Sequence, residues 1–95
     1  MGNPEKSNIQ TGTLIDRYGY DTGHFASPKG TSFEARSLAP GTENKPYSVY
    51  EVIKPIDTLQ GTIAPYFDQV GMGIQYKFDK SIQELLDLGY LKEVK

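Results

Sequence analysis

Several side chains of chemical use stand where strands and loops do not require them. Asp16-Arg17-Tyr18-Gly19 places a planar guanidinium just after a short apolar stretch, where it suits bidentate capture of a phosphate or carboxylate. A surface pair between Arg17 and Asp16 is the plainer use of the same residues. Arg36 stands beside Glu34 and admits the same two readings, anion contact or a solvated pair. Tyr18, Tyr20 and Phe25 lie in a glycine-rich stretch where they either stack on a flat ring or simply pack the loop. Gln75 carries an amide that donates and accepts at once, as reading another amide requires, or it faces solvent like any strand residue. His24 is the single histidine, an exposed loop residue unless chemistry runs through it, and there is no cysteine. Thiolate nucleophiles, disulfides and cysteine-rich zinc sites are thereby excluded. Gly71-Met72-Gly73 is a poor dinucleotide fingerprint, lacking the third glycine and leading into a strand pattern.

The elements that would position these groups are mostly strands. Gly12–Ile15 reads as a short strand, followed by an irregular stretch from Asp16 to Gly30 with glycines at 19, 23 and 30. Thr31–Arg36 alternates, with Phe33 and Ala35 on one face and Glu34 and Arg36 on the other, which predicts a strand. Tyr47–Ile53 is the strongest strand, rich in β-branched and aromatic residues and closed by Lys54-Pro55. Thr62–Phe67 is ambiguous because Pro65 confines it to an edge or a strand end. Gly73–Phe78 alternates, turning Gln75 and Lys77 away from Ile74, Tyr76 and Phe78. Ser81 and Glu84 form a capping box at the head of the one helix, which Gly89 ends, and Tyr90–Val94 makes a last strand. Residues 1–8 carry no periodicity and read as a frayed end, with residues 1–10 a flexible end or linker and 11–95 a single domain. The fold class expected is α+β, a compact, mostly antiparallel sheet with a C-terminal helix.

The chain has 95 residues, enough for one modest core. Ten Lys plus Arg against twelve Asp plus Glu give a formal charge of −2, without the basic footprint of a phosphate-backbone binder. No apolar run approaches the roughly 20 residues of a membrane span. Neither nucleic acid nor membrane is an expected partner.

Six segments in order resemble the tuberculosis necrotizing toxin (TNT) domain family. They begin at Gly12-Thr-Leu-Ile-Asp-Arg-Tyr-Gly, Gly23 to Pro40 (containing Phe33-Glu-Ala-Arg36) and Tyr47 to Ile56. Gly61-Thr-Ile-Ala-Pro-Tyr-Phe, Gly71-Met-Gly-Ile-Gln-Tyr and Leu85-Leu-Asp-Leu-Gly-Tyr-Leu complete the series, covering about residues 11 to 94. The resemblance implies a fold distantly like that of ADP-ribosylating toxins, and hydrolysis of NAD⁺, with NADP⁺ a second substrate, to nicotinamide and ADP-ribose. It implies no required cofactor or metal, a cognate immunity protein as partner, and a C-terminal domain of a secreted bacterial toxin acting in the target-cell cytosol.

By the same resemblance Gln75 and Arg17 are the catalytic residues, with Arg17 on the dinucleotide phosphates. Tyr18 and Phe25 flank nicotinamide, Arg36 lies near the substrate, and Ser48 holds a substrate-binding position where many members have histidine. Gly23-His24-Phe25 replaces the usual Gly-Arg-Phe, and Tyr66 stands in for a tryptophan. The chemistry permits a site so composed: nicotinamide leaves as a neutral molecule, so no acid need protonate it. The oxocarbenium-like transition state asks for positioning and for access to water. The alternatives are a catalytically weakened interaction or decoy module and an ADP-ribosyltransferase.

Overall fold

The computed structural model describes residues 2–94. In chain order the elements are β1 Gly2–Ile9, β2 Leu14–Tyr18, β3 Phe25–Pro28, β4 Tyr47–Val52, β5 Ile56–Thr62, β6 Ile74–Lys77, α1 Ile82–Asp87 and β7 Leu91–Val94. The seven strands make one sheet in the order β1-β5-β6-β3-β2-β4-β7, and every pairing is antiparallel. Alternation along each strand turns one face inward. Ile9, Ile15, Ala26, Tyr50, Val52, Ile56, Tyr76 and Phe78 pack there with Leu91 and with Ile82 and Leu85 of α1. No helix among the described residues is long and apolar enough to cross a membrane.

The helix forms where its caps place it. Ser81 accepts from the Glu84 N–H and the Glu84 carboxylate accepts from Ser81 N–H, closing the capping box. At the other end Tyr90 N–H reaches Leu85 O and Gly89 N–H reaches Leu86 O, the two bonds of a Schellman ending. The two remaining N-terminal donors serve a wider purpose. Ile82 N–H donates to Gly23 O at 2.9 Å and Gln83 N–H to Asp21 O at 2.8 Å, so the head of α1 pins the glycine-rich loop before β3.

Three expectations change. Residues 2–9 are not a frayed end but an edge strand on β5, held by the backbone ladder and by Asn8 Nδ2 donating to Asp57 Oδ1 at 2.8 Å. The strand expected at Thr31–Arg36 is a turn running into a 3₁₀ helix, Glu34–Arg36, because Ser32 Oγ accepts the Ala35 N–H and closes it. The stretch taken as irregular contains the end of β2 and all of β3. Thr62–Phe67, confined by Pro65 to an edge or a strand end, is a strand end: Thr62 closes β5 and the rest is loop.

β3 divides the sheet. Its Phe25 and Ala26 pair with Lys77 and Tyr76 of β6, whereas Ser27 and Pro28 pair with Asp16 and Ile15 of β2. With only four residues to join them, β2 and β6 part on either side of β3, and a cleft opens between them.

Candidate active site

The outward-facing side chains of β2, β3 and β6 are Leu14, Asp16, Tyr18, Phe25, Ser27, Gln75 and Lys77. Over the β2 side of this face lie residues 31–38 and the loop 63–73, which dock on each other through backbone bonds from Gly71 N–H to Glu34 O and Gly73 N–H to Ala35 O. A Cβ on Gly73 would stand 2.8 Å from Ala35 O, so the Gly71-Met72-Gly73 segment exists for close docking and not for phosphate. The result is a cleft of about 200 Å³, lined by Leu38, Ile63, Gln75, Phe25 and Tyr18 among others.

Beneath the cleft Arg36 is 5% exposed and Asp16 is fully buried, 2.7 Å apart as an ion pair. Arg36 also donates through Nε and Nη2 to Thr31 O, at 3.0 and 2.7 Å. Asp16 Oδ2 accepts from the Tyr47 hydroxyl at 2.6 Å and from Gly30 N–H at 3.1 Å. Arg36 therefore has neither the solvated Glu34 pair nor a free guanidinium: its charge is spent on Asp16. Its Cζ lies 5.1 Å from the centre of the Tyr18 ring, which Phe33 meets edge-on at 5.4 Å. Tyr18 is thus held from three sides, counting the tilted Tyr47 ring at 4.9 Å.

Burial and the bond to Asp16 push the Tyr47 hydroxyl up to about 12 from 10.0. Burial and the bond to Asp21 raise Tyr50 as well. A phenol that ionises later folded than unfolded stabilises the fold below its unfolded value and loses that contribution as pH rises. The melting temperature should accordingly fall as pH climbs from 10 towards 12, followed by circular dichroism.

Arg17 points the other way. It lies opposite Ser48 on the core-facing side of β2, donates through Nη1 to Phe25 O at 2.6 Å, and is lowered by burial against the charge of Asp21. Its guanidinium covers Gly23: a Cβ there would lie 2.3 Å from Nη2. The glycine and the α1 caps thus fix where Arg17 sits, at the cleft's inner edge. The pairing of Arg17 with Asp16 does not form, because neighbours on a strand face opposite sides.

Of the expected residues the structure gathers Gln75, Phe25, Tyr18, Arg36 and Arg17 about one cleft. Ser48 lies on the opposite face beside Arg17, outside the cleft lining, and His24 Nδ1 bonds Phe78 O at 3.1 Å, also outside it. Sequence reading missed Ala26, Ser27, Leu38 and Ile63 in the lining and the central place of Asp16. Only the register of β2 on β3 and the docked loops bring these together.

The comparisons with known proteins cover nearly the whole chain. The family model described as tuberculosis necrotizing toxin matches residues 8–94. A conidial surface nicotinamide adenine dinucleotide glycohydrolase of Aspergillus fumigatus is 36% identical over 95 residues, covering 93% of this chain and 41% of the fungal protein. The chain thus spans about two fifths of that relative's length. Among solved structures, tuberculosis necrotizing toxin complexed with its immunity factor superposes with a TM-score of 0.79 at 20% identity, over 97% of this chain and 56% of that one. Tse6 in complex with Tsi6 gives 0.65 at 13% identity, over 97% and 72%. These likenesses show the seven-stranded fold, and with the family match running from the end of β1 through β7, the chain belongs to the tuberculosis necrotizing toxin family.

Proposed function

We propose that this domain hydrolyses the N-glycosidic bond of NAD⁺, with NADP⁺ as a second substrate, releasing nicotinamide and ADP-ribose. The observation that carries the reading is the convergence of Gln75 with the rings of Phe25 and Tyr18 at one cleft, in a chain similar to an NAD glycohydrolase. In this reading nicotinamide lies between the rings as the bond from its nitrogen to the ribose C1′ breaks, the electron pair leaving with nicotinamide. Water attacks the oxocarbenium-like carbon and gives up a proton, with Gln75 orienting the ribose or the water. Arg17 holds the loop edge beside the cleft, and Arg36 with Asp16 builds its floor. Ser48 stands beside Arg17 on the other face, clear of the cleft lining, and no cofactor or metal takes part.

The two departures from the family pattern at His24 and Ser48 fall outside the cleft lining, which favours a working hydrolase over a decoy module. The likeness to ADP-ribosylating toxins, delivery as part of a secreted toxin and action in a target-cell cytosol belong to the same proposal. So does an immunity protein covering the cleft, for which the exposed Tyr66, Phe67, Val70 and Met72 of the adjoining loop offer apolar contact. Incubation with NAD⁺ and no protein acceptor should release nicotinamide and ADP-ribose in equal amounts. Intact NAD⁺ at high protein concentration would overturn the reading.

A further inference from the structure

The cleft is too small for a whole dinucleotide, since pockets that enclose ligands of drug size run to roughly 300–1,000 Å³. If it takes the nicotinamide end, as proposed above, the phosphates and adenosine must leave it in some direction. Towards β4 the lining offers Leu38, Ile63 and an Arg36 already paired with Asp16, and so no unpaired cation for a phosphate. Towards β5 the way is open: Phe25 and Gln75 also line a second cavity of about 370 Å³, with Leu59, Pro4 and Lys77.

The register makes this second cavity a track. Phe25 lies opposite Lys77, Lys77 opposite Leu59, and Leu59 opposite Lys6, across β3, β6, β5 and β1. Residues directly opposite share a face, and neighbouring strands lie about 4.8 Å apart. The row therefore runs outward from the Phe25 ring with two lysines about 10 Å apart at their backbones, both able to lean towards one pyrophosphate. Lys77 Nζ already hangs 6.0 Å from the Phe25 ring centre. Both lysines are exposed, and Arg36 with Asp16 is the one ion pair among the described residues. Asp57, a carboxylate of the same face, accepts from Asn8 Nδ2 at 2.8 Å. Arg36 is paired with Asp16, and Arg17 reaches the cleft lining only from the other face, where it donates to Phe25 O. Lys77 and Lys6 are therefore the cations that this face itself presents along the row.

We propose that Lys77, seconded by Lys6, binds the phosphate groups of the substrate and leads its adenosine half out over β5 and β1. The test is calorimetric binding of ADP-ribose at low salt, with nicotinamide as the phosphate-free control. Lys77→Met keeps the apolar stem and should weaken ADP-ribose about tenfold, Lys6→Met less, and Lys77→Arg should restore most of the loss, while nicotinamide binding stays unchanged. An ADP-ribose affinity untouched by Lys77→Met overturns the proposal, as does an equal loss for nicotinamide. The outcome separates from that of the hydrolase reading. Lys77-dependent ADP-ribose binding in a protein that leaves NAD⁺ intact sinks hydrolysis and keeps the track. NAD⁺ cleavage with kcat/KM unmoved by Lys77→Met keeps hydrolysis and sinks the track.

Discussion

Asp16→Ala should lower the stability of the fold by about 3–5 kcal/mol, the cost of leaving a buried partner charge uncompensated. Asp16 is fully buried and holds three groups at once: the Arg36 guanidinium, the Tyr47 hydroxyl and the Gly30 N–H. Without it Arg36, 5% exposed, keeps only Thr31 O as a named acceptor, and its charge must be hydrated by opening the cleft floor. A domain of this size holds only about 5–15 kcal/mol in all, and each kcal/mol is worth about 4–8 °C in melting temperature. The variant should therefore melt more than about 10 °C below the wild type, or fail to fold. Tyr47→Phe, which removes one bond and leaves the ion pair, should cost only about 1 kcal/mol. Equal losses in the two variants, or an unchanged melting temperature for Asp16→Ala, would show that the ion pair does not hold the floor.

Much of the fold is legible in sequence because its strongest elements carry their own signals. Tyr47–Val52 alternates aromatic and β-branched residues into the core, and the α1 caps are written as Ser81, Glu84 and Gly89. What was missed lacks such contrast. β5 buries Thr58, whose hydroxyl is satisfied by Lys77 O at 2.7 Å, so a polar residue occupies a core-facing position and hides the alternation. β1 buries Ile9 at its end and exposes most of its other side chains, being held by ladder bonds that sequence does not display. At residues 33–36 four alternating residues imitate a strand, yet Ser32 already offers the hydroxyl that closes a turn.

The site divides in the same way. Gln75 and Phe25 could be picked out by type and surroundings. That Arg36 is a buried support depends on contacts between residues 20 apart in the chain, Asp16 and Arg36, which no local pattern records. The family resemblance locates the residues but not the faces: Arg17 and Arg36, alike in type, look to opposite sides of β2.

Gln75→Ala should reduce the rate of NAD⁺ cleavage by about 10²–10³ in kcat, the usual scale for removing one preorganised polar group from a transition state. The residue is half-buried on β6, and its cross-strand neighbour is Gly61, which has no side chain to cover it. Truncation should therefore leave the melting temperature close to the wild type, so that a lost rate reports on chemistry and not on folding. The amide's two possible tasks are separated by Gln75→Glu, which keeps an acceptor and removes both donors. If Gln75 accepts from a ribose hydroxyl or the attacking water, the glutamate retains much of the rate, and its negative charge further favours an oxocarbenium-like carbon. If it donates to the substrate instead, glutamate should be as slow as alanine. A folded Gln75→Ala protein that cleaves NAD⁺ at the wild-type rate would remove the residue from the mechanism and, with it, the observation on which this cleft is read as a hydrolase site.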